Sequence, residues 1–247
     1  ILAQASTLAP YAVYNGVDFA GLDASKNIVT GSSIIPYLTT AGTSGNYTLS
    51  TGTVPVNVVA GTGIRLGNSI NVAYGVIFNT NRGGSWTIDT AASGRLLTTG
   101  GLLVTNNVGP YDVVAGGAGT GFRPYANVAG GEFIIHQYNS QGSLVLNSGA
   151  TINNNTNSNL VTKDGVGKVV FNNAMGFTGA LRILEGTVQI GNASTSGTLN
   201  ASATVAASGT LAFNRTDAIT FTNTVSGTGV VAQVGSGLAT MSNASNS

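Results

Sequence analysis

Short runs of alternating or wholly apolar residues recur along the chain, separated by Gly, Asn and Ser. Such runs predict β-strands, and the period of an amphipathic helix is almost absent. The clearest predicted strands lie in VPVNVVA from Val54, GVIFNT around Ile77, RLLTTGGLLVTNNV from Arg95, EFIIHQY from Glu132, SLVLNSGATI from Ser143, KVVFNN from Lys168, LRILEGTVQIG from Leu181, TLAFN from Thr210 and AITFTNTV from Ala218. The pattern predicts an all-β chain.

The predicted strands are short, and turns containing Gly or Asn separate them rather than helices. Parallel strands normally need long crossovers, unless the chain coils into a solenoid in which each strand stacks on the strand one coil earlier. We therefore predict a parallel β-helix, or β-solenoid, with coils of about 20 residues. Val, Ile, Leu and Phe are expected to fill the inside of each coil.

Two segments of the C-terminal half align without gaps, LVTKDGVGKVVFNN from Leu160 and VVAQVGSGLATMSN from Val230. The aligned pairs are Gly165 with Gly235, Gly167 with Gly237, and Phe171 with Met241. The offset of about 70 residues suggests that each repeat contains several coils. We predict an N-terminal strand-rich cap or module over residues 1–70, followed by the β-helix over residues 71–247 with an incomplete last repeat.

The segment KDGVGKVVFNNAMGFTGALRILEGTVQIG, from Lys163 to Gly191, resembles the autotransporter-associated β-strand repeat of large bacterial surface proteins. In that family a Lys-x-Gly-x-Gly opening precedes alternating apolar residues, an Asn-x-x-x-x-Gly turn and a closing Gly-Thr-Leu-x-apolar-Gly. The residues that match are Lys163, Gly165, Gly167, Gly179, Gly186, Thr187 and Gly191, with Val188 in the usual Leu position and Gly235 and Gly237 repeating the opening glycines. The resemblance implies a right-handed parallel β-helix exported to the bacterial cell surface, without a cofactor.

Charge and cysteine content narrow the possible functions. Charged residues make up 7% of the chain, and the formal net charge is +1. Such a chain has no field to attract nucleic acid or an anionic membrane, and little repulsion between copies. It has no cysteine, so neither a disulfide nor a thiolate metal site is possible. No apolar run is long enough for a membrane helix, so we expect no membrane insertion of this segment.

Two pairs of carboxylates were weighed as an acid and a nucleophile, or as ligands of a hard cation. Asp112 with Glu132, and Asp164 with Glu185, are each separated by roughly one coil, which could stack them on adjacent strands. The simpler interpretation is that Asp164 and Glu185 flank a repeated glycine corner. His136 is the only histidine and is expected to be structural.

Most large aromatic residues lie in the first half of the chain. Exposed aromatic rings could stack on sugar rings, as in a glycan-binding adhesin. The candidates for that role are Tyr11, Tyr14, Trp86, Tyr111 and Tyr125. Packing inside the core or the cap is the alternative.

The sequence therefore predicts a non-catalytic extracellular structural protein, either a β-helical scaffold or a subunit of a self-assembling surface filament. Its partners would be further copies of itself, joined end to end, or further repeats of the same chain. The alternative is an autotransporter-type adhesin that binds glycans or surfaces. A polysaccharide lyase or hydrolase is a distant third.

Overall fold

In the computed structural model, the chain coils into a β-solenoid. The structure describes residues 8–33, 37–39, 46–49, 56–66, 70–73, 75–90, 95–117, 119–124, 131–152 and 159–247. Two parallel sheets of nine strands each run along the coil. The predicted all-β solenoid with parallel sheets is confirmed.

We call the two long sheets face 1 and face 2. Face 1 contains β4 (Leu38–Thr39), β6 (Val56–Val58), β9 (Val76–Phe78), β12 (Gly101–Val104), β15 (Glu132–Gln137), β18 (Leu160–Asp164), β20 (Ala180–Ile183), β22 (Thr204–Ala207) and β25 (Val225–Ser226). Face 2 contains β5 (Asn46–Leu49), β7 (Gly63–Leu66), β10 (Trp86–Thr90), β13 (Val113–Ala115), β16 (Ser143–Leu146), β19 (Lys168–Phe171), β21 (Thr187–Ser194), β23 (Thr210–Arg215) and β26 (Val230–Gln233). Consecutive strands of a face are successive rungs of the solenoid.

A third face closes part of the coil. It contains the sheet of β8 (Ile70–Ala73), β11 (Arg95–Thr99), β14 (Thr120–Pro124) and β17 (Ala150–Ile152), and further along the chain the pair β24 (Ile219–Phe221) and β27 (Ala239–Met241). Two short 3-10 turns, Gly31–Ser33 and Asn106–Val108, are the only helical segments among the described residues. None of the helices in that part of the chain is long and apolar enough to cross a membrane.

Inward-facing side chains stack in columns because the rungs are in register. On face 2, one column runs through Trp86, Val113, Leu144, Val169, Val188 and Leu211. Every one of these side chains is fully buried. The alternation of apolar residues in each strand therefore puts every second side chain into one continuous core, as the two-residue period of a strand requires.

The coils are not all about 20 residues long. Leu181 follows its rung partner Val161 by 20 residues, as predicted, but His136 follows its rung partner Leu103 by 33 residues. The uniform prediction is wrong for the earlier rungs, because longer corner segments separate their strands. Such surface insertions are tolerated because the cost of closing a loop grows only slowly with its length.

The N-terminal strands form a separate antiparallel sheet, which we call the clasp. It contains β1 (Leu8–Tyr14), β2 (Asp18–Leu22) and β3 (Ile28–Thr30), and Asn15 and Gly16 make the left-handed turn between the first two strands. Phe19 packs against Ile77 and Leu103, outward-facing residues of face 1. The clasp therefore lies against the side of the solenoid. Parallel pairing already begins at β4, so residue 70 falls inside the stack.

Removing a ring from the core should destabilise the whole solenoid. Phe171 is fully buried between Leu146 and Ile190 in an inner column. Phe171→Ala should lower the free energy of unfolding by about 3–5 kcal/mol, measured by urea denaturation. Val166→Ala, at a side chain that is 51% exposed, should change it by less than about 0.5 kcal/mol. Equal losses in the two variants would contradict the column packing.

Candidate functional site

The residues that carry the sequence motif meet at the corner between face 1 and face 2, which we call the Lys163 corner. Here β18 ends at Asp164 and β19 begins at Lys168. The corner stacks on its neighbours: Gly167 N donates to Gln137 O at 2.8 Å, one rung below, and Thr187 N donates to Gly167 O at 3.2 Å, from one rung above.

Lys163 is an inward-facing residue. It lies in register between Ile135 and Ile183, in the core column of face 1, and its side chain is completely buried. Its Nζ donates to the carbonyl oxygens of Gly165 and of Glu185, the latter at 2.8 Å. The ammonium group thus satisfies two corner carbonyls on adjacent rungs, which would otherwise lack a partner inside the coil.

Burial lowers the pKa of Lys163 to about 8, and the nearby carboxylates of Asp164 and Glu185 offset only part of that effect. Desolvation disfavours the charged form of a buried amine, and an anion nearby favours it. The direction of the shift shows that desolvation is the larger influence here.

Asp164 leaves the corner on the outer side and is held from the rung below. Its Oδ2 lies 3.3 Å from His136 Nδ1 and accepts a hydrogen bond from the Tyr138 hydroxyl at 3.1 Å. The bond with His136 is the main cause that lowers the pKa of Asp164 to about 2. Burial raises the pKa of Tyr138 to about 12, with Asp164 adding to the effect. His136 is 2% exposed, and the ring of Phe19 in the clasp meets its edge at 6.2 Å.

The same corner chemistry recurs with glutamine in place of lysine. Gln189 Nε2 donates to Gly191 O at 2.8 Å, and Gln233 Nε2 donates to Gly235 O at 2.9 Å and Gly237 O at 2.6 Å. In each case a long polar side chain caps the carbonyl of the glycine two residues later, as Lys163 does for Gly165. The segments aligned over about 70 residues share this local bond, although β18 belongs to face 1 and β26 to face 2.

The predicted repeat glycines all lie where one rung packs closely on the next. A Cβ atom added to any of them would come within 3.0 Å of another atom, in most cases a backbone carbonyl of the adjoining rung. These glycines are Gly165, Gly167, Gly179, Gly186, Gly191, Gly235 and Gly237. Their common requirement is close backbone approach, and Gly165 and Gly186 also need a left-handed backbone, with φ of 83° and 65°.

The structure does not assemble the predicted carboxylate pairs into an acid and base. Asp112 accepts a hydrogen bond from Ser143 N at 2.7 Å on face 2, whereas Glu132 begins β15 on face 1, so their predicted stacking is wrong. Asp164 is bound by His136 and Tyr138, and its lowered pKa is opposite to that of a general acid. Among the described residues, no three His, Asp or Glu side chains gather as metal ligands.

The candidate sugar-stacking rings do not form a shared surface. Trp86 is completely buried and donates its indole N–H to Thr80 O at 2.9 Å, so the alternative of core packing holds for this residue and sugar stacking does not. Tyr111 packs against the core, and Tyr14 is half-buried in the clasp. The side chain of Tyr11 and all of Tyr125 lie outside the described residues.

Several structural polar residues were missed by sequence reasoning. Arg215, 6% exposed, forms a two-pronged pair with Asp217 and donates to Gly197 O at 2.7 Å. Buried Asn139 donates to Gly109 O, and buried Asn223 donates to Asn200 O, in each case one rung back. A usable signal was present for Lys163: it lies two residues after Val161, the spacing that places both side chains on one side of a strand.

No protein-family model, curated protein or solved structure matches this chain. The fold defines its class as a β-solenoid protein, and the resemblance to the autotransporter-associated repeat stays a prediction.

The contact between Gly186 and Lys163 can be separated from backbone strain by comparing two glycines. A Cβ at Gly186 would overlap the Lys163 ammonium and lie 2.5 Å from Gly165 O, whereas one at Gly83, with φ of 74°, would meet nothing within 4 Å. Gly83→Ala should cost about 1–2 kcal/mol for its left-handed backbone. Gly186→Ala should cost at least about 2 kcal/mol more in urea denaturation. Similar losses in both variants would refute the close approach.

The lowered pKa of Lys163 predicts that stability rises with pH. The folded chain releases the Lys163 proton near pH 8, below its ordinary value of 10.5, so the unfolded state binds more protons in between. The free energy of unfolding should therefore increase by about 1–2 kcal/mol from pH 7 to about 9.5. Lys163→Met should abolish the increase, and Lys168→Met, at an exposed lysine, should retain it. A rise that survives Lys163→Met would assign it to another group.

Proposed function

We propose that the chain is a non-catalytic structural β-solenoid of an exported surface protein, the role that its resemblance to autotransporter-associated repeats implies. The observation that most supports this role is how the chain uses its buried polar side chains. Lys163, Gln189 and Asn223 donate to backbone carbonyls of their own corner or of a neighbouring rung. These groups join rungs to one another, and their donors are directed at the chain itself.

The chemistry of the Lys163 corner favours the same role. A hydrolase acting on polysaccharides needs one carboxylic acid with a raised pKa beside a second carboxylate. Asp164 instead has its pKa lowered to about 2 and binds His136 and Tyr138. The Lys163 ammonium is buried inside the coil, where a soluble substrate has no access. Each group has a role in holding the corner together.

A paired substitution tests the structural role against an enzymatic or glycan-binding one. The side chain of Asp164 is 30% exposed, and that of Asp89, which pairs with Arg65 at 3.2 Å, is 32% exposed. Asp164→Asn should lower the thermal midpoint by about 2–4 °C, because its charge-assisted bond to His136 is lost. Asp89→Asn should leave the midpoint within about 1 °C, because exposed ion pairs contribute little.

The same three proteins should release no reducing ends from a panel of polysaccharides and should bind no sugar on a glycan array. Turnover by the wild type that Asp164→Asn abolishes would replace the structural role with a catalytic one. Saturable binding to a defined glycan by the wild type would favour the adhesin.

A further inference from the structure

The last rung of the solenoid exposes the continuation of its own core. Val231 is in register with Leu211, which in turn is in register with Val188. Leu211 and Val188 are fully buried, but Val231 is 49% exposed. The neighbouring Val230, Val234 and Leu238 are 57%, 60% and 67% exposed. We call these four residues the end patch. They include half of the exposed large hydrophobic side chains in the described chain, so they mark a distinct apolar surface.

Unpaired backbone surrounds this apolar surface. β25, β26 and β27 are the last strands of their sheets, and no described strand pairs with their outer edges. Val230 N and Val234 N donate inward, to Gly209 O at 3.0 Å and Phe213 O at 2.8 Å. Because the bonds of a parallel strand alternate in direction, the polar groups of the intervening residues point to the free edge. An edge of this kind is a template for another strand.

The chain does not protect this edge in the usual ways. Edge strands normally carry lysine or other charges, or proline, which prevent pairing with another molecule. Residues 218–247 contain no Asp, Glu, Lys, Arg, His or Pro. The charged side chains are instead confined to residues 18–26 and 65–217. The edge is therefore suited to pairing.

The opposite end of the solenoid has matching properties. β4 and β5 are the first strands of face 1 and face 2, and each has one edge unpaired within the described chain. Residues 27–64 contain no Asp, Glu, Lys, Arg or His, so the two ends would meet without repulsion. Tyr47 and Gln233 hold the first and last register positions of one column of face 2. All strands of that face are parallel, so a head-to-tail contact preserves both direction and register.

The position of the clasp is compatible with this contact. Phe19 and its neighbours pack beside β9, β12 and β15, on the side of the solenoid. The described contacts of the clasp thus lie away from both β4 and β26 along the stack.

We propose that the last rung of one molecule docks on the first rung of a second copy of this chain, as an added parallel rung. β26 would pair with β5 of the next copy, and the end patch would be covered by its first coil. The contact joins two different surfaces, so it does not close and generates a filament. This inference rests on the proposed structural role and specifies its partner.

Matched lysine substitutions test whether the end patch is the contact. Val231→Lys with Leu238→Lys places two charges on the end patch. Val166→Lys with Leu184→Lys places them at internal corners, where the wild-type side chains are 51% and 52% exposed. Wild type and the corner variant should form rods whose length grows with concentration, seen by sedimentation velocity and negative-stain electron microscopy. The end-patch variant should associate at least tenfold more weakly. Equal association of the two variants would overturn the proposal.

Cysteine cross-linking tests the head-to-tail register, since the natural chain has no cysteine. Successive rungs are about 4.8 Å apart, within the Cα separation that a disulfide spans. Tyr47→Cys and Gln233→Cys, each folded alone, should form disulfide-linked dimers when mixed and oxidised. Val166→Cys should replace Gln233→Cys without forming them. Equal yields with Val166→Cys would refute the register.

A wild type that stays monomeric at about 1 mM, in the range where weak specific contacts are occupied, would also overturn the head-to-tail contact. That result would leave the structural role itself intact, because the role is judged separately by turnover, glycan binding and the Asp164→Asn midpoint.

Discussion

The close approach of successive rungs at their corners is the constraint on which the rest of this structure depends. The strands of a parallel sheet lie about 4.8 Å apart, and a solenoid must keep that spacing through its turns as well as along its faces. At Gly167 and Gly179, an added Cβ would come within 3.0 Å of a carbonyl belonging to the rung below. The frequent glycines thus allow each corner to follow the preceding one. The 36 glycines of the chain are consistent with a fold made largely of such corners.

This constraint explains why buried polar side chains concentrate at the corners. Where strands turn, backbone carbonyls leave the regular ladder and need donors from elsewhere. Lys163, Gln189 and Gln233 supply those donors two residues before a glycine, and Asn139 and Asn223 supply them across a rung. With no cysteine, hydrogen bonds of this kind and the apolar columns are what hold adjacent coils together. The lowered pKa of Lys163 reflects its position inside the core.

The same regularity leaves the stack without an intrinsic stop. Every rung both covers the rung below and presents a surface that fits a rung above, so the core is exposed again at β26. A β-solenoid ends by covering its last rung with other structure, by protecting the edge with charge, or by adding another rung. In this chain the charged residues lie in the middle of the coil and the clasp lies on its side. This distribution favours the addition of a rung.

The alternation of residues such as Val169 and Phe171 and the recurring corner glycines determined, without a structure, that the chain is all-β and coiled into a parallel solenoid. Period and turn chemistry are local, so they can be read from neighbouring residues. Only the tertiary structure decided which face each strand joins, because that depends on the accumulated lengths of corners that vary from coil to coil. For this reason Asp112 and Glu132 lie on different faces, and the segments at Leu160 and Val230 begin different faces despite their alignment. The burial of Trp86 and the packing of the clasp on Ile77 and Leu103 also required it, since both depend on contacts between residues distant in the chain.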